Sequence, residues 1–202
     1  MELFETMRLD HGVIPRFEYH TKRLQRSSQR LGYSFSKEQW VQYVEQIKHH
    51  YNDDIYRLKV ILDDNGNFTH VIKPLPEKTH FTAKLKLMDT TCPQSLIINK
   101  TSERQHLEHN HVTDLVLLYN NEGKILEFDI GNIMIEEQGH YYTPSYQHDF
   151  LLGCMRESLI EQGKLEIKDY SKDELIEKLK KGEIQVYLLN SLREVADVAI
   201  YL

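Results

Sequence analysis

The sequence predicts an α+β fold of two domains, and three observations support this. Helix signals lie close together near the start of the chain, between two predicted strands, whereas the second half is rich in short apolar strands. The segment K-P-L-P-E at 73–77 separates the two patterns, because its prolines cannot donate to a β-ladder and push their predecessors into extended geometry. We therefore predict a small N-terminal domain of residues 1–76 and a larger domain of residues 77–202.

The N-terminal domain is predicted to contain two helices and a small sheet. The first helix covers about residues 17–31 and is closed by Gly32. The second helix begins at Ser36, whose hydroxyl can cap it while Gln39 completes a capping box. The pair Asn65-Gly66 predicts a hairpin, since it supplies a positive φ at little cost. The predicted strands are residues 2–8, 55–62 and 68–72.

The larger domain is predicted to consist mainly of strands, with two helices. One helix runs from about Met155 to Gly163, and the other begins at Ser171, with Glu174 as its capping-box partner. The predicted strands lie near residues 83–88, 95–98, 113–119, 124–128, 131–136, 140–143, 184–190 and 195–200.

Composition favours an enzyme that acts on small molecules. The net charge of −6 and the pI near 6.0 argue against a nucleic-acid-binding surface. No apolar run approaches the ~20 residues of a membrane span, and the chain opens with a strand-like segment where a signal peptide would have a charged region. The two cysteines, Cys92 and Cys154, form neither a C-x-x-C pair nor a disulfide framework. We expect a cytoplasmic protein with no membrane or nucleic-acid partner.

Residues that carry chemistry follow one another in a set order in the middle of the chain. Lys100 follows the apolar run 96–98, Glu127 lies in a predicted strand, Asn132 comes five residues later, and G-C-M-R occupies 153–156. This order resembles the class IV aminotransferase family, also called fold type IV. The G-C-M-R segment is most similar to its aminodeoxychorismate lyase branch, which has Met where most transaminases of the family have Thr. The resemblance implies a pyridoxal 5′-phosphate enzyme with a small α/β sandwich and a larger, barrel-like domain.

The resemblance assigns the two central roles to Lys100 and Glu127. Lys100 would be the catalytic lysine that bonds to the cofactor, and desolvation at the end of a strand would lower the pKa of its amine. Glu127 would face the pyridine nitrogen and keep it protonated, so that the ring accepts electrons from the substrate. Taken alone, each residue would be read as a solvated surface charge, since buried lysine and glutamate are rare.

The phosphate of the cofactor needs several donors, and four are predicted, two of them from the resemblance and two from the start of a helix. The segment H-T-K-R-L at 20–24 resembles the family's His-x-x-Arg-Leu, which makes Arg23 a bidentate phosphate ligand. A turn into a helix leaves free amides near Cys154 and Met155. Ser191 aligns with a hydroxyl that completes the phosphate site in relatives. The alternative for Arg23 is one more solvated charge on a basic helix.

Substrate recognition is predicted from the first strand and from basic residues. The segment L-F-E-T-M-R at 3–8 resembles the family's Phe-Glu-x-x-Arg strand, and its Thr6 falls where the lyases keep a Thr near the cofactor lysine. Arg57 and Lys59 alternate with apolar residues on a predicted strand. Arg57 and Arg104 are predicted to bind the carboxylates of the substrate. The alternative for each is an ordinary surface cation.

The function that the resemblance implies is conversion of aminodeoxychorismate to 4-aminobenzoate and pyruvate, which supplies folate synthesis. A branched-chain or D-amino acid transaminase of the same fold is the second hypothesis. A truncated, non-catalytic relative is the third, because the chain begins at the Phe-Glu-x-x-Arg strand and carries Glu103 where the lyases usually have Asn. The resemblance also implies a homodimer and a functional link to aminodeoxychorismate synthase.

Three histidines close to Lys100 raise the question of a metal site. His106, His109 and His111 lie near Glu108, and histidines three residues apart would share a helix face. There is no H-E-x-x-H motif and no cysteine pair. We therefore assign no metal ligand and interpret these residues as a polar helix surface or a subunit contact.

Overall fold

The computed structural model describes all 202 residues and separates them into two compact units. The first unit comprises Met1–Glu77 and Asn99–Glu103, and the second comprises Lys78–Ile98 and Arg104–Leu202. The sequence-based division placed residues 99–103 in the larger domain. They belong with the small one because their backbone pairs with its first strand: the Phe4 N–H donates to the Lys100 carbonyl at 3.0 Å, and Leu3 forms an antiparallel bridge with Thr101.

The first unit is a three-stranded antiparallel sheet that packs against two helices. Its elements are β1 (Leu3–Asp10), α1 (Phe17–Leu31), α2 (Lys37–His50), β2 (Ile55–Leu62) and β3 (Phe68–Pro74), with the strands in the order β1-β2-β3. Burial alternates along β1, which is the pattern of a strand with one covered face. On the covered face, Leu3, Met7 and Leu9 pack in one apolar cluster with Trp40 of α2.

The predicted helix ends in this unit are confirmed. Gly32 follows α1 with φ of 72°, a left-handed conformation that glycine adopts without penalty. The Ser36 hydroxyl accepts the Gln39 N–H at 3.3 Å at the start of α2. The hairpin between β2 and β3 also forms, with Gly66 at φ of 92°.

The second unit is built on an eight-stranded sheet that closes into a barrel-like ring. Its elements are β4 (His80–Leu87), α3 (Gln94–Ile97), β5 (Leu115–Tyr119), β6 (Ile125–Phe128), β7 (Gly131–Glu137), β8 (His140–Thr143), α4 (Cys154–Glu161), β9 (Glu166–Ile167), α5 (Lys172–Lys181), β10 (Ile184–Asn190) and β11 (Glu194–Tyr201). The strand order is β10-β11-β4-β5-β6-β7-β8-β9, and a further pairing of β10 with β7 closes six strands into a ring. Apolar side chains from these strands form the core, among them Leu117, Phe128, Ile133 and Leu188. The predicted α+β class with a strand-rich second part is confirmed.

One predicted strand of the second unit is wrong. Residues 95–98 were expected to be extended, but Gln94–Ile97 form the short helix α3, whose Leu96 N–H donates to the Pro93 carbonyl at 2.9 Å. A run of three or four apolar residues suits a strand and a helical turn equally well, so its periodicity cannot decide between them. None of the helices is long and apolar enough to cross a membrane.

Candidate active site

The three-stranded sheet has two chemically different faces. Leu3, Met7 and Leu9 of β1 are on the covered face, so the alternate residues of β1, which include Thr6, are on the other. In the antiparallel register Thr6 lies opposite Lys59, and Arg8 lies opposite Arg57. Cross-strand partners project to the same face of a sheet. The predicted residues Thr6 and Arg57 therefore share one face with Lys59 and Arg8, and we call these four residues the cationic face.

Lys100 lies beside the cationic face. Its backbone pairs with Phe4 of β1, and its Nζ lies 4.9 Å from the centre of the Phe4 ring. The Lys59 Nζ lies 4.2 Å from the centre of the same ring. Because Phe4 alternates with Leu3 and projects with Thr6, the amine of Lys100 belongs to the face that carries Thr6 and Arg57. The structure thus brings these three predicted residues together, and it adds Lys59.

Arg23 of α1 lies on the covered side of the sheet and is paired with a buried carboxylate. Its Nε donates to Glu5 Oε1 at 2.8 Å, and its Nη2 donates to Glu5 Oε2 at 2.5 Å. The Nδ1 of His20 lies 2.6 Å from Glu5 Oε2. Arg23 is therefore neither a solvated helix charge nor on the same face as Thr6, and the Glu5 carboxylate fixes the direction of its guanidinium.

The charge state of Glu5 follows from these contacts. Burial alone would raise its pKa, but the charge and hydrogen bonds of Arg23, together with those of His20, lower the pKa to about 2. Neither Glu5 nor His20 was identified as a site residue from the sequence. A signal was present, because Glu5 occupies an apolar position of the alternating strand, between Leu3 and Met7. A carboxylate at such a position requires a buried partner.

In the second unit, Glu127 and Asn132 face the turn before α4. Both are almost fully buried, and they are cross-strand partners in the β6–β7 hairpin. Glu127 Oε1 accepts the Leu151 N–H at 3.1 Å. Asn132 Nδ2 donates to the Leu151 carbonyl and Asn132 Oδ1 accepts the Gly153 N–H, each at 2.9 Å. Glu127 is thus a buried carboxylate, and the interpretation as an exposed strand residue is excluded.

The helix α4 begins directly after this turn. Gly153 is the N-cap residue of α4 and has no side chain that could cap the helix. The first two residues of the helix are Cys154 and Met155, and both are buried. Amides in the first turn of a helix have no acceptor within the helix and carry the positive end of its dipole. The predicted phosphate ligands at Cys154 and Met155 therefore lie at a helix start that the buried Asn132 holds in place.

The remaining predicted residues are Ser191 and Arg104. Ser191 directly follows β10, whose Leu189 pairs with Asn132, so Ser191 lies near the same end of β7. Arg104 precedes the short 3-10 helix Gln105–Leu107 and is partly exposed.

The three histidines do not share a helix face. His106 lies in the 3-10 helix, whereas residues 108–111 are not helical. The rings of His109 and His111 lie with their centres 4.2 Å apart and their planes tilted by 51°, and His109 Nε2 lies 3.5 Å from Asp129 Oδ2. The predicted helical arrangement of these residues is wrong, because the chain turns extended after Leu107.

Comparison with known proteins agrees with the resemblance drawn from the motifs. The family model of class IV aminotransferases matches residues 2–201. A Schizosaccharomyces pombe protein provisionally named aminodeoxychorismate lyase is 33% identical over 207 aligned positions, which cover 96% of this chain and 87% of that protein. The crystal structure of a provisionally named amino-acid aminotransferase from Mesorhizobium loti is similar with a TM-score of 0.84 and 26% identity, covering 99% of both chains.

A further solved structure shows the same fold at lower identity. It is a provisionally named 4-amino-4-deoxychorismate lyase from Haemophilus somnus 129pt, with a TM-score of 0.76, 19% identity and coverage of 96% of this chain and 97% of that chain. The chain covers 87% to 99% of the length of each of these three relatives.

The pairing of Glu5 predicts an acid-dependent loss of stability in the first unit. Its folded pKa of about 2 lies below the ordinary value of 4.5, so its stabilising effect is complete above pH 4.5 and declines as the pH falls towards 2. Glu5→Gln should lower the free energy of unfolding at pH 7 by about 3 kcal/mol and flatten its dependence on pH between 5 and 2. Fluorescence of Trp40 measures this, since it is the only tryptophan and is buried in the first unit.

The matched control for this prediction is Glu38→Gln, at an exposed position of α2. It should leave the free energy of unfolding at pH 7 within about 0.5 kcal/mol of the wild-type value. If Glu5→Gln kept the pH dependence of the wild-type protein, Glu5 would not be the ionised partner of Arg23.

Proposed function

Because the chain belongs to the class IV aminotransferase family, whose cofactor is pyridoxal 5′-phosphate, we propose that it is a lyase converting 4-amino-4-deoxychorismate to 4-aminobenzoate and pyruvate. The observation that carries this proposal is the cationic face beside Lys100. Arg57 and Lys59 share that face, and a substrate with two carboxylates requires such cations close to the reacting amine. The relative from Schizosaccharomyces pombe supports the same reaction, through the name it bears.

The residues present fit the cofactor. Gly153 precedes α4 and its N–H donates to the buried Asn132 Oδ1, so the start of α4 is held in place, and amides in the first turn of a helix are suited to binding a phosphate. Glu127 supplies a buried carboxylate, suited to pairing with a protonated ring nitrogen. Arg23, the amides of Cys154 and Met155, and the Ser191 hydroxyl would hold the phosphate. When bound, pyridoxal phosphate supplies an electron sink that stabilises negative charge at the carbon next to the substrate amine.

The chain's own residues then have distinct tasks. Lys100 would hold the cofactor covalently and, once released by the substrate amine, take the proton from the adjacent ring carbon. Thr6 presents a hydroxyl on the same face and would hold or pass on a proton beside Lys100. In the overall reaction a C–O bond breaks, the ring becomes aromatic, and the proton ends on the departing three-carbon fragment, which leaves as pyruvate. No external oxidant or reductant is needed. Arg57 would orient the substrate through a carboxylate, and the same role for Arg104 stays a prediction.

Transamination is the second candidate function. It would use the same cofactor residues, and the Mesorhizobium loti structure, an aminotransferase by its name, supports it at 26% identity over 99% of both chains. Branched-chain and D-amino acids are the substrates to test. Met155 favours the lyase, because most transaminases of the family have Thr at that position of the G-C-M-R segment. The homodimer, the cytoplasmic location and the link to aminodeoxychorismate synthase stay predictions.

The reaction is tested by an assay for pyruvate. Purified protein loaded with pyridoxal phosphate should release pyruvate and 4-aminobenzoate in equal amounts from aminodeoxychorismate made enzymatically, and Lys100→Ala should abolish the release. Amino transfer that depends on a keto acid, without pyruvate release, would establish the transaminase instead. Bound cofactor with neither activity would support the non-catalytic relative.

Lys100 should be the lysine that carries the cofactor. Borohydride makes a lysine–cofactor bond permanent, so reduction followed by peptide mapping should find the label on Lys100. Lys59 is an internal control, because its amine lies over the same Phe4 ring. A label on Lys59, or no label with cofactor in excess, would contradict the assignment.

Glu127→Gln should retain the fold and most of the cofactor but lose turnover by about 100-fold or more. The amide oxygen of Gln can still accept the Leu151 N–H, so the turn before α4 is kept. A neutral amide cannot hold the ring nitrogen protonated. The control is Glu136→Gln on β7, whose carboxylate accepts the Gly139 N–H in a neighbouring turn. Near-normal turnover in Glu127→Gln would return Glu127 to a purely structural role.

A further inference from the structure

The side chain of Asn132 spans the turn before α4. Its Nδ2 donates to the Leu151 carbonyl and its Oδ1 accepts the Gly153 N–H, both at 2.9 Å. Asn132 is 1% exposed, so water does not compete for these two hydrogen bonds. A carboxamide is suited to this task, because it offers one acceptor and one donor in a fixed plane.

Glu127 holds the same turn from a neighbouring position. It is the cross-strand partner of Asn132, and its Oε1 accepts the Leu151 N–H. Leu151 is therefore bound at its N–H by Glu127 and at its carbonyl by Asn132. These contacts join the β6–β7 hairpin to the start of α4.

The side chain of Asn132, and not the backbone conformation of residue 153, explains why a glycine occupies this position. Its φ of −78° and ψ of 140° are open to any residue. A Cβ at this position would lie 2.2 Å from Asn132 Oδ1, a distance that real Cβ atoms do not reach. The close approach of the carboxamide is thus the reason that a glycine stands before α4.

We propose that Asn132 is a positioning residue, which fixes the start of α4 relative to the Glu127 carboxylate. The separation between these two groups would then match the length of a ligand with a phosphate at one end and a protonated ring nitrogen at the other. Asn132 would contact neither end itself. It acts through the amides at Cys154 and Met155, whose position its hydrogen bond to Gly153 sets. This inference rests on the proposed cofactor site but not on the choice between lyase and transaminase.

The test compares the affinity of the cofactor-free protein for pyridoxal phosphate with its affinity for pyridoxal, which lacks the phosphate. Asn132→Leu removes both hydrogen bonds, and Asn132→Asp keeps the acceptor while placing an oxygen against the Leu151 carbonyl. In both variants the preference for the phosphorylated ligand should fall about tenfold or more, with affinity for pyridoxal within about threefold of the wild type. A side chain with only a structural role would lower both affinities alike.

Asn120→Asp is the matched control. Asn120 likewise holds a turn through its side chain, since its Oδ1 accepts the N–H groups of Glu122 and Lys124 in a hairpin elsewhere in the second unit. This variant should leave the preference for the phosphorylated ligand unchanged. An equal loss of preference in Asn120→Asp and Asn132→Asp would overturn the proposal, because the effect would then be a general loss of stability.

A second pair of variants keeps the test decisive if the Asn132 variants unfold. Gly153→Ala should lose the same phosphate preference, because the added Cβ displaces the carboxamide. In an Asn132→Ala background, Gly153→Ala should cause no further loss of the preference for pyridoxal phosphate over pyridoxal. Wild-type preference in Gly153→Ala would overturn the positioning role. If the wild-type protein did not prefer pyridoxal phosphate over pyridoxal, the result would instead contradict the proposed cofactor site.

Discussion

Strand β7 bonds to three other strands, and this closure positions Glu127, Asn132 and Ser191 in the second unit. One edge of β7 pairs with β6 near Asn132 and with β8 near Glu137, and the other edge pairs with β10 along nearly its whole length. The β6 pairing places Glu127 beside Asn132, and the β10 pairing brings Ser191 to the same end. A shift of one residue in either register would move these side chains to the opposite face. Closure of the ring is therefore a condition for the proposed cofactor site of this unit as well as for its core.

The three-stranded sheet of the first unit has one face in the core and one face that carries cations. One face is apolar except for Glu5, whose charge Arg23 and His20 satisfy, and the opposite face carries Arg57 and Lys59. A buried carboxylate is stable only with such partners, since desolvation opposes ionisation. The same pair that stabilises the core also fixes the direction of Arg23. Stability of the first unit and the geometry of its proposed phosphate ligand thus depend on one ion pair.

Short-range signals predicted most of the elements, and long-range pairings explain what was missed. The caps at Gly32, Ser36 and Ser171 could be recognised because each acts within four residues, and the Ser171 hydroxyl indeed accepts the Glu174 N–H. The run 95–98 was misassigned because no such signal distinguishes a helical turn from a strand there.

For the site, the order of motifs brought out Lys100 and Glu127, but only through resemblance to a family. The pairing of Phe4 with Lys100 and the partner of Arg23 join residues far apart in sequence, which no local pattern specifies. The position of Lys59 beside Lys100 depends on the same long-range pairing.

Ring closure also limits how these sheets can associate wrongly. Every strand of the ring has both edges paired, so the outer edge of the second unit's sheet is the two-residue strand β9. In the first unit, residues 100–101 occupy part of the outer edge of β1, and β3 ends in Lys73 and Pro74, a cation and a residue without an N–H. Unpaired strand edges are the templates on which chains aggregate. In the folded protein the open edges are therefore limited to β9, β3 and the part of β1 that residues 100–101 leave uncovered, so few sites remain where another strand could add.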